Sequence, residues 1–400
     1  MATPARTPSK PLRTCLLLAL SVCALLVTPR TDAVVLYATG STTANTTEPT
    51  GPLADSGWQY EGTFGSVLGT PIAPQYFLSA KHVGMADSVI VFRGQSYTVA
   101  NGFTEPTGDL QMWRITGTFP DFAPLYAKKD EAGKSLVVIG RGTQRGGEVY
   151  LNSVLKGWAP GAGDAVQRWG QNTAALVFEY GADNDLIVAD FDQDGGPNEA
   201  HLTSGDSGGA IFMQDGAVWK LAGINFAVDT VLRNDGPGIY TVVQAPLFDC
   251  RGYFYISSVN PTVYTEITGA APVPTSFYAS RISKKLPWIY SITDPAGSLA
   301  GDGIPNLLKY GLGMDVTAPA SAATSTPGLE PGFVTLTYTK RTTATDVTFS
   351  IERSSSFTSW TAATATNTVM STVGTLQTIK AKVALNNEPS LYLRLRVTRP

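Results

Sequence analysis

Apolar and polar side chains alternate with a period of two along several short stretches of this chain, which predicts β-strands rather than helices. Tyr76-Phe77-Leu78-Ser79 is an apolar, strand-like run that breaks into small residues just before His82. Gln111-Met112-Trp113-Arg114-Ile115 predicts a second strand, entered through Gly108-Asp109. Residues 333–339, 346–353 and 390–398 alternate in the same way with threonine-rich turns between them, as expected of a small antiparallel β domain. Two stretches break the pattern. Residues 1–33 join Arg6, Lys10 and Arg13 to the apolar run Cys15–Val27 and the small-residue exit Thr31-Asp32-Ala33, which is the layout of a secretory signal peptide with too short a core for a transmembrane helix. Gly269-Ala270-Ala271-Pro272-Val273-Pro274-Thr275 reads as a linker of small and proline residues. The organisation expected is therefore a signal peptide at 1–33, a first domain at 34–262, a linker at 263–285 and a β-rich accessory domain at 286–400.

Gly205-Asp206-Ser207-Gly208-Gly209 places a serine between glycines, where a tight turn can expose its hydroxyl as a nucleophile. Such a hydroxyl needs a neighbouring imidazole to take its proton, and the chain has only two histidines, His82 and His201. His82 sits at a predicted strand end and Asp109 opens another, so Asp109 is the natural acid to orient His82. The pattern Gly205-x-Ser207-x-Gly209 also satisfies the nucleophile elbow of α/β-hydrolases. Those enzymes place their histidine after the serine, and no histidine follows position 201. A subtilisin-like order through Asp55, His82 and Ser207 is disfavoured by the short strands and glycine-rich turns around the serine.

Leu78-Ser79-Ala80-Lys81-His82, Asp109-Leu110 and Gly205-Asp206-Ser207-Gly208-Gly209 resemble, in order, the three signature segments of the trypsin-like (chymotrypsin-fold) serine proteases. Val218–Ile224 and Gly236-Pro237-Gly238-Ile239-Tyr240-Thr241 resemble the two strands flanking that family's specificity pocket, so the likeness covers roughly residues 58–258. It implies an all-β fold of two six-stranded antiparallel barrels and a secreted serine endopeptidase acting on protein or peptide substrates. Ser207 would be the nucleophile, His82 the proton carrier and Asp109 the group fixing the imidazole tautomer, with the backbone amides of Gly205 and Ser207 as the oxyanion hole. The competing reading from another class is a catalytically silent secreted binding protein on the same fold. His201, six residues before Ser207, falls where the family places the base of its pocket; His201, Phe226 and Gly238 are the candidate substrate-binding residues. Many such enzymes switch on when a new N-terminus pairs with the acid before the serine, here Asp206. Val34, freed by signal cleavage, could serve, or the site could be formed constitutively.

The remaining chemistry is sparse. Asp190, Asp192 and Asp194, followed by Gly195, have the opening spacing of an EF-hand calcium loop, but His201 stands where its closing glutamate belongs. Calcium is thus a candidate structural ion, and no cofactor is expected for the chemistry itself. Asp294-Pro295-Ala296-Gly297 and Gly301-Asp302-Gly303 through Gly313 resemble an acidic turn and helix of secreted bacterial multidomain proteins, with several acids lost and Lys309 in place of a glutamate. The accessory domain has no histidine, which suits binding, anchoring or cell-surface retention on a surface or matrix ligand better than a second active site. Removing residues 1–33 takes away four basic residues and one acid, moving the net charge from −3 to −6. Nothing basic remains to draw nucleic acid, and a mildly acidic surface suits an exported soluble protein. Only Cys250 would survive signal cleavage, so no internal disulfide is possible and the cysteine could at most join two chains. The expected location is extracellular, periplasmic or cell-surface associated, with no stable membrane insertion.

Overall fold

The computed structural model describes residues 34–181, 185–386, 388 and 390–400, so the expected signal peptide lies outside the described residues. The chain divides into two compact units, one built on residues up to Ser280 and the other on Arg281–Pro400 with two short preceding segments. Among the described residues no helix is long and apolar enough to cross a membrane.

Two closed six-stranded barrels make the first unit. Around the first barrel run Gly62–Phe64, Val67–Ala73, Tyr76–Ser79, Gln111–Ile115, Gln95–Thr104 and Val89–Phe92. Alternate side chains of these strands point inward to an aromatic core of Phe64, Phe77, Phe92, Tyr97, Trp113 and Phe119, and the rings meet edge to face, as Phe64 and Phe77 do at 5.1 Å. The second barrel runs through Arg168–Glu179, Asp185–Asp190, Ser276–Arg281, Val218–Val228, Ala210–Asp215 and Ser135–Gly140. Its core is mainly aliphatic, with Leu136, Val138, Ile187, Ile211, Met213 and Ala222 enclosed beside Tyr126 and Phe277. The all-β, double-barrel expectation holds in full.

Gly236–Thr241, expected with Val218–Ile224 to flank a specificity pocket, does not join the second barrel. Ser276–Arg281, not Gly236–Thr241, lies between Val218–Val228 and Asp185–Asp190. Val231–Gly236 and Ile239–Val243 instead form a hairpin of a separate four-stranded sheet with Phe254–Val259 and Thr262–Glu266. This insertion has its own core of Val231, Ala245, Leu247, Cys250, Tyr253 and Ile267. Gly238 is the exposed turn of that hairpin, at φ +75°, and not part of a strand beside Val218–Val228. The proline-rich stretch after it is pinned rather than loose. Cys250 donates its backbone N–H to Val273 O at 2.7 Å and its thiol to the same oxygen at 2.9 Å, while the buried Thr275 hydroxyl accepts the Leu247 N–H at 2.9 Å. The residues 263–285 expected as linker therefore hold a strand, a barrel-closing strand and the start of a helix. Burial also withdraws Cys250 from joining two chains and pushes its thiol pKa up.

The second unit carries helices Ile282–Thr293 and Asn306–Leu312 and two antiparallel sheets. One orders Thr326–Glu330, Phe333–Arg341, Leu376–Ala384 and Thr366–Val373; the other orders Thr361–Ala362, Thr348–Ser354 and Tyr392–Thr398. Leu312, Leu336, Tyr338, Ile351, Ile379, Ala381 and Val383 form the core they share. Part of the threonine-rich sequence expected as turns is strand Thr366–Val373, because threonine is β-branched and suits a pleated surface. The segment expected to hold an acidic turn does enter a helix, and Lys309, wholly buried, lies 2.7 Å from Asp302 Oδ2 and donates to Ala318 O at 2.9 Å. Asp302 also accepts from Ser298 Oγ and the Ile304 and Ala320 amides. An ammonium group thus supplies the positive charge that a cation would bring to this turn.

Two buried glutamates in the barrels set a pH dependence. Burial pushes the Glu61 carboxyl, hydrogen-bonded by Thr70 Oγ1 at 3.1 Å, up to about 8. Glu199 is likewise raised to about 8, first by burial and then by Asp192 and Asp190. A carboxyl whose folded pKa lies above its unfolded value stabilises fully below the unfolded pKa, here about 4.5, and that contribution is lost as pH climbs to about 8. His201 acts in the opposite sense: burial lowers it from 6.5 to about 4, so its contribution is complete above 6.5 and is lost on acidification through 4. Above pH 6.5 only the glutamates act. Thermal unfolding followed from pH 6.5 to 8 should show stability falling by on the order of 1–2 kcal/mol per glutamate, and Glu61→Gln should flatten part of the slope.

Candidate active site

His82, Asp109 and Ser207 come together within the first unit. The apolar strand Tyr76–Ser79 pairs with Gln111–Ile115, leaves the sheet at Ala80 and coils into the single 3₁₀ turn Lys81–Val83, which ends at Gly84 with φ +61°. Asp109 stands just before its paired strand, so the ladder itself brings it to His82. The Asp109 carboxylate takes two hydrogen bonds from that residue: Oδ1 accepts the backbone N–H at 2.9 Å and Oδ2 meets Nδ1 at 2.6 Å. With Nδ1 carrying the proton, Nε2 is the bare nitrogen, and it lies 2.7 Å from Ser207 Oγ. Ser280 Oγ donates to the Asp109 carbonyl at 3.2 Å, tying the acid to the second barrel's closing strand. Phe226 sets its ring edge-on to the His82 imidazole at 6.1 Å.

The serine loop is held by its own polar groups. Gly205 and Gly208 take φ of +93° and +85°, backbone that only glycine enters freely, and a Cβ on Gly208 would collide with Ser79 Oγ and Leu68 O. Gly208 donates to Asn225 O at 3.1 Å and Asn225 donates to Gly209 O at 2.8 Å. The Asn225 side-chain amide bonds Ile139 O at 2.9 Å and Asp206 O at 3.1 Å. Asp206 is buried; its Oδ1 accepts the Gly142 N–H at 2.7 Å and its Oδ2 the Thr203 N–H at 2.8 Å. The loop's acid is therefore satisfied by backbone amides, while Val34 is packed in the second barrel's core beside strand Val35–Leu36. Among the described residues, the backbone N–H groups of Gly205 and Ser207 donate to no protein acceptor.

The other candidates fall away from this centre. His201 lies on a two-residue strand paired with Val35, its Nδ1–H donates to Leu202 O at 2.6 Å, and its ring packs edge to face on Phe191 and Phe277 at 5.5 and 5.7 Å. It is an enclosed, neutral core side chain, and the substrate-binding expectation for it is withdrawn. The calcium expectation also lacks a donor set. Asp190 accepts Ser276 Oγ at 2.6 Å, the Asp192 N–H turns to Glu199 at 3.0 Å, and among the described residues no three acidic, histidine or cysteine side chains are grouped to hold a metal. Asn225, Ser280 and Thr203 were not singled out for these roles from sequence, because each works through a distant backbone group.

Two barrels carrying a histidine, an aspartate and a serine in this chain order, with the histidine in contact with both of the others, are the build of the trypsin-like serine proteases. Residues 55–248 match the Trypsin family model, and the chain carries a domain of that family. The match ends before the closing strand Ser276–Arg281 because the inserted sheet intervenes. Among solved structures, kallikrein-related peptidase 10 is 12% identical over 60% of this chain and 97% of its own, at a TM-score of 0.31. An inactive form of Rv3671c from M. tuberculosis H37Rv is 12% identical over 68% and 100%, at 0.36. The HtrA-type protease AlgW with decapeptide is 14% identical over 80% and 83%, at 0.33. Likenesses this loose carry no part of the functional reading. Comparison with curated proteins gives no match.

Asn225→Ala should lower stability by about 1–3 kcal/mol, since two buried carbonyls lose their donor. Urea unfolding monitored by tryptophan fluorescence reads this as a shifted midpoint at unchanged slope.

Proposed function

We propose that this chain is an exported serine endopeptidase. The carrying observation is the continuous line from Asp109 through His82 to Ser207, with contacts of 2.6 and 2.7 Å. Ser207 Oγ attacks the scissile carbonyl while His82 Nε2 takes its proton, giving a tetrahedral intermediate whose oxyanion is placed against the uncommitted amides of Gly205 and Ser207. His82 then gives the proton to the departing amine, the C–N bond breaks and an acyl-enzyme remains. Water, deprotonated by the same nitrogen, hydrolyses the ester and returns Ser207. Asp109 keeps the proton on Nδ1 and stabilises the imidazolium that forms at each step. Export is supported by the sequence pattern of residues 1–33.

The same geometry supports a site formed on folding, since Asp206 is held by the amides of Gly142 and Thr203.

A fluorophosphonate probe on the purified mature protein should label Ser207, located by peptide mass spectrometry, and leave Ser207→Ala and His82→Ala unlabelled. Absence of labelling in a folded protein would favour the silent binding-protein reading. Asp109→Asn should lower kcat on a peptide library by roughly 10⁴-fold, as loss of the orienting carboxylate leaves the wrong tautomer. Extending the N-terminus two residues beyond Val34 should leave activity unchanged; a marked drop would mean that a freed terminus is needed after all.

A further inference from the structure

The three-stranded sheet of the second unit presents an ordered outer face whose composition goes beyond what a solvated sheet needs. Along strand Tyr392–Thr398, Leu393 and Leu395 pack on the unit's core, while Tyr392, Arg394 and Arg396 point out and are exposed. Their register sets Tyr392 opposite Ser354, Arg394 opposite Glu352 and Arg396 opposite Ser350. The outward row is thus one aromatic ring followed by two guanidinium groups at a spacing of about 7 Å, twice the rise per strand residue.

The loop after strand Thr348–Ser354 completes this row. Phe357 adopts φ +61°, a conformation that a bulky side chain rarely takes and that marks a site worth a functional hypothesis. Ser354 Oγ holds it there by accepting the N–H of Phe357 at 3.0 Å and of Ser356 at 3.2 Å. The ring does not turn inward. It is 60% exposed, lies 3.7 Å from the Tyr392 ring at a 34° tilt, and is followed by Trp360, 6.2 Å away. Arg394 covers the Trp360 ring at 4.4 Å. Three aromatic rings are therefore gathered at one end of the row, where burial would have been the default.

Charge selects the occupant. Arg394 and Arg396 both pair with the single carboxylate of Glu352, at 2.6 and 2.7 Å, leaving one positive charge in excess on this face. Arg396 gives one terminal nitrogen to Glu352 and is 57% exposed, so its other donors face solvent in the planar fork that suits a carboxylate or sulfate. The neighbouring Arg353 is already matched by Glu388. Flat ring faces next to a free guanidinium fork fit a ligand that alternates apolar ring faces with fixed anionic groups. We infer that this face, formed by Phe357, Trp360, Tyr392, Arg394 and Arg396, binds an anionic polysaccharide, with a pyranose C–H face stacked on the exposed Phe357 ring and an acid group on the Arg396 guanidinium. The site is separate from Ser207 and stands or falls independently of the proteolytic reading.

Affinity electrophoresis of the full mature chain carrying Ser207→Ala, through gels containing polygalacturonate, tests this directly, with amylose gels as the neutral comparison. Retardation by polygalacturonate that weakens as salt rises, with little or none by amylose, is the expected result. Phe357→Ala, an exposed position, should weaken retardation by about tenfold or more, and Arg396→Gln should remove the preference for the acidic polymer. Circular dichroism confirms that both variants remain folded. No retardation, equal retardation by amylose, or retardation untouched by both folded variants would overturn the inference.

Discussion

Everything chemical in this molecule rests on the two hydrogen bonds that Asp109 takes from His82. An imidazole on a surface turn has two tautomers and free rotation; a carboxylate that holds both the backbone N–H and Nδ1 removes both freedoms. Only then does Nε2 become a defined acceptor for Ser207. The barrels serve that end. The first brings Asp109 to His82 through adjacent strands of one ladder, and the second delivers Ser207 on a loop while its closing strand grips the Asp109 carbonyl through Ser280.

The serine loop shows how such an arrangement persists without a disulfide. Its glycines give the backbone angles, but glycine alone would leave the loop loose. Order comes from buried polar groups that bond the backbone around the loop, Asp206 on the amides of Gly142 and Thr203 and the Asn225 side-chain NH2 on two carbonyls. Each bond adds little net stability, whereas each unpaired buried partner would cost more, so the network specifies one conformation.

How much of this was legible in the sequence follows from what each feature depends on. His82, Asp109 and Ser207 were legible because histidines are scarce here and each candidate segment is a short local pattern. The barrel strands around them were legible through period-two alternation. The strand Ser276–Arg281 that closes the second barrel was hidden because it lies beyond an inserted sheet, whose hairpin Val231–Gly236 and Ile239–Val243 holds the segment read as flanking the pocket. The linker was misjudged because Pro272 and Pro274 look like spacer residues, while what pins them, Cys250 and Thr275 on distant backbone, leaves no local mark. His201 had the right spacing for a pocket, but spacing along a chain says nothing about the two phenylalanine rings that enclose it. Asn225 and Ser280 could not be read at all, since a side chain that bonds a remote carbonyl has no sequence signature.

Lys309 in the second unit has a thermodynamic consequence. A metal ion that ties a loop together contributes stability in proportion to the logarithm of its free concentration, and the contribution vanishes when the ion is diluted or chelated. The ammonium group facing Asp302 and Ala318 is covalently part of the chain. Its local concentration is a constant of the fold, set by the place of Lys309 in the helix Asn306–Leu312 and the reach of one side chain. This turn thereby stays closed in dilute and in mineral-rich media alike, and the helix Asn306–Leu312 keeps its place beside the sheets on which the unit's outer face is built.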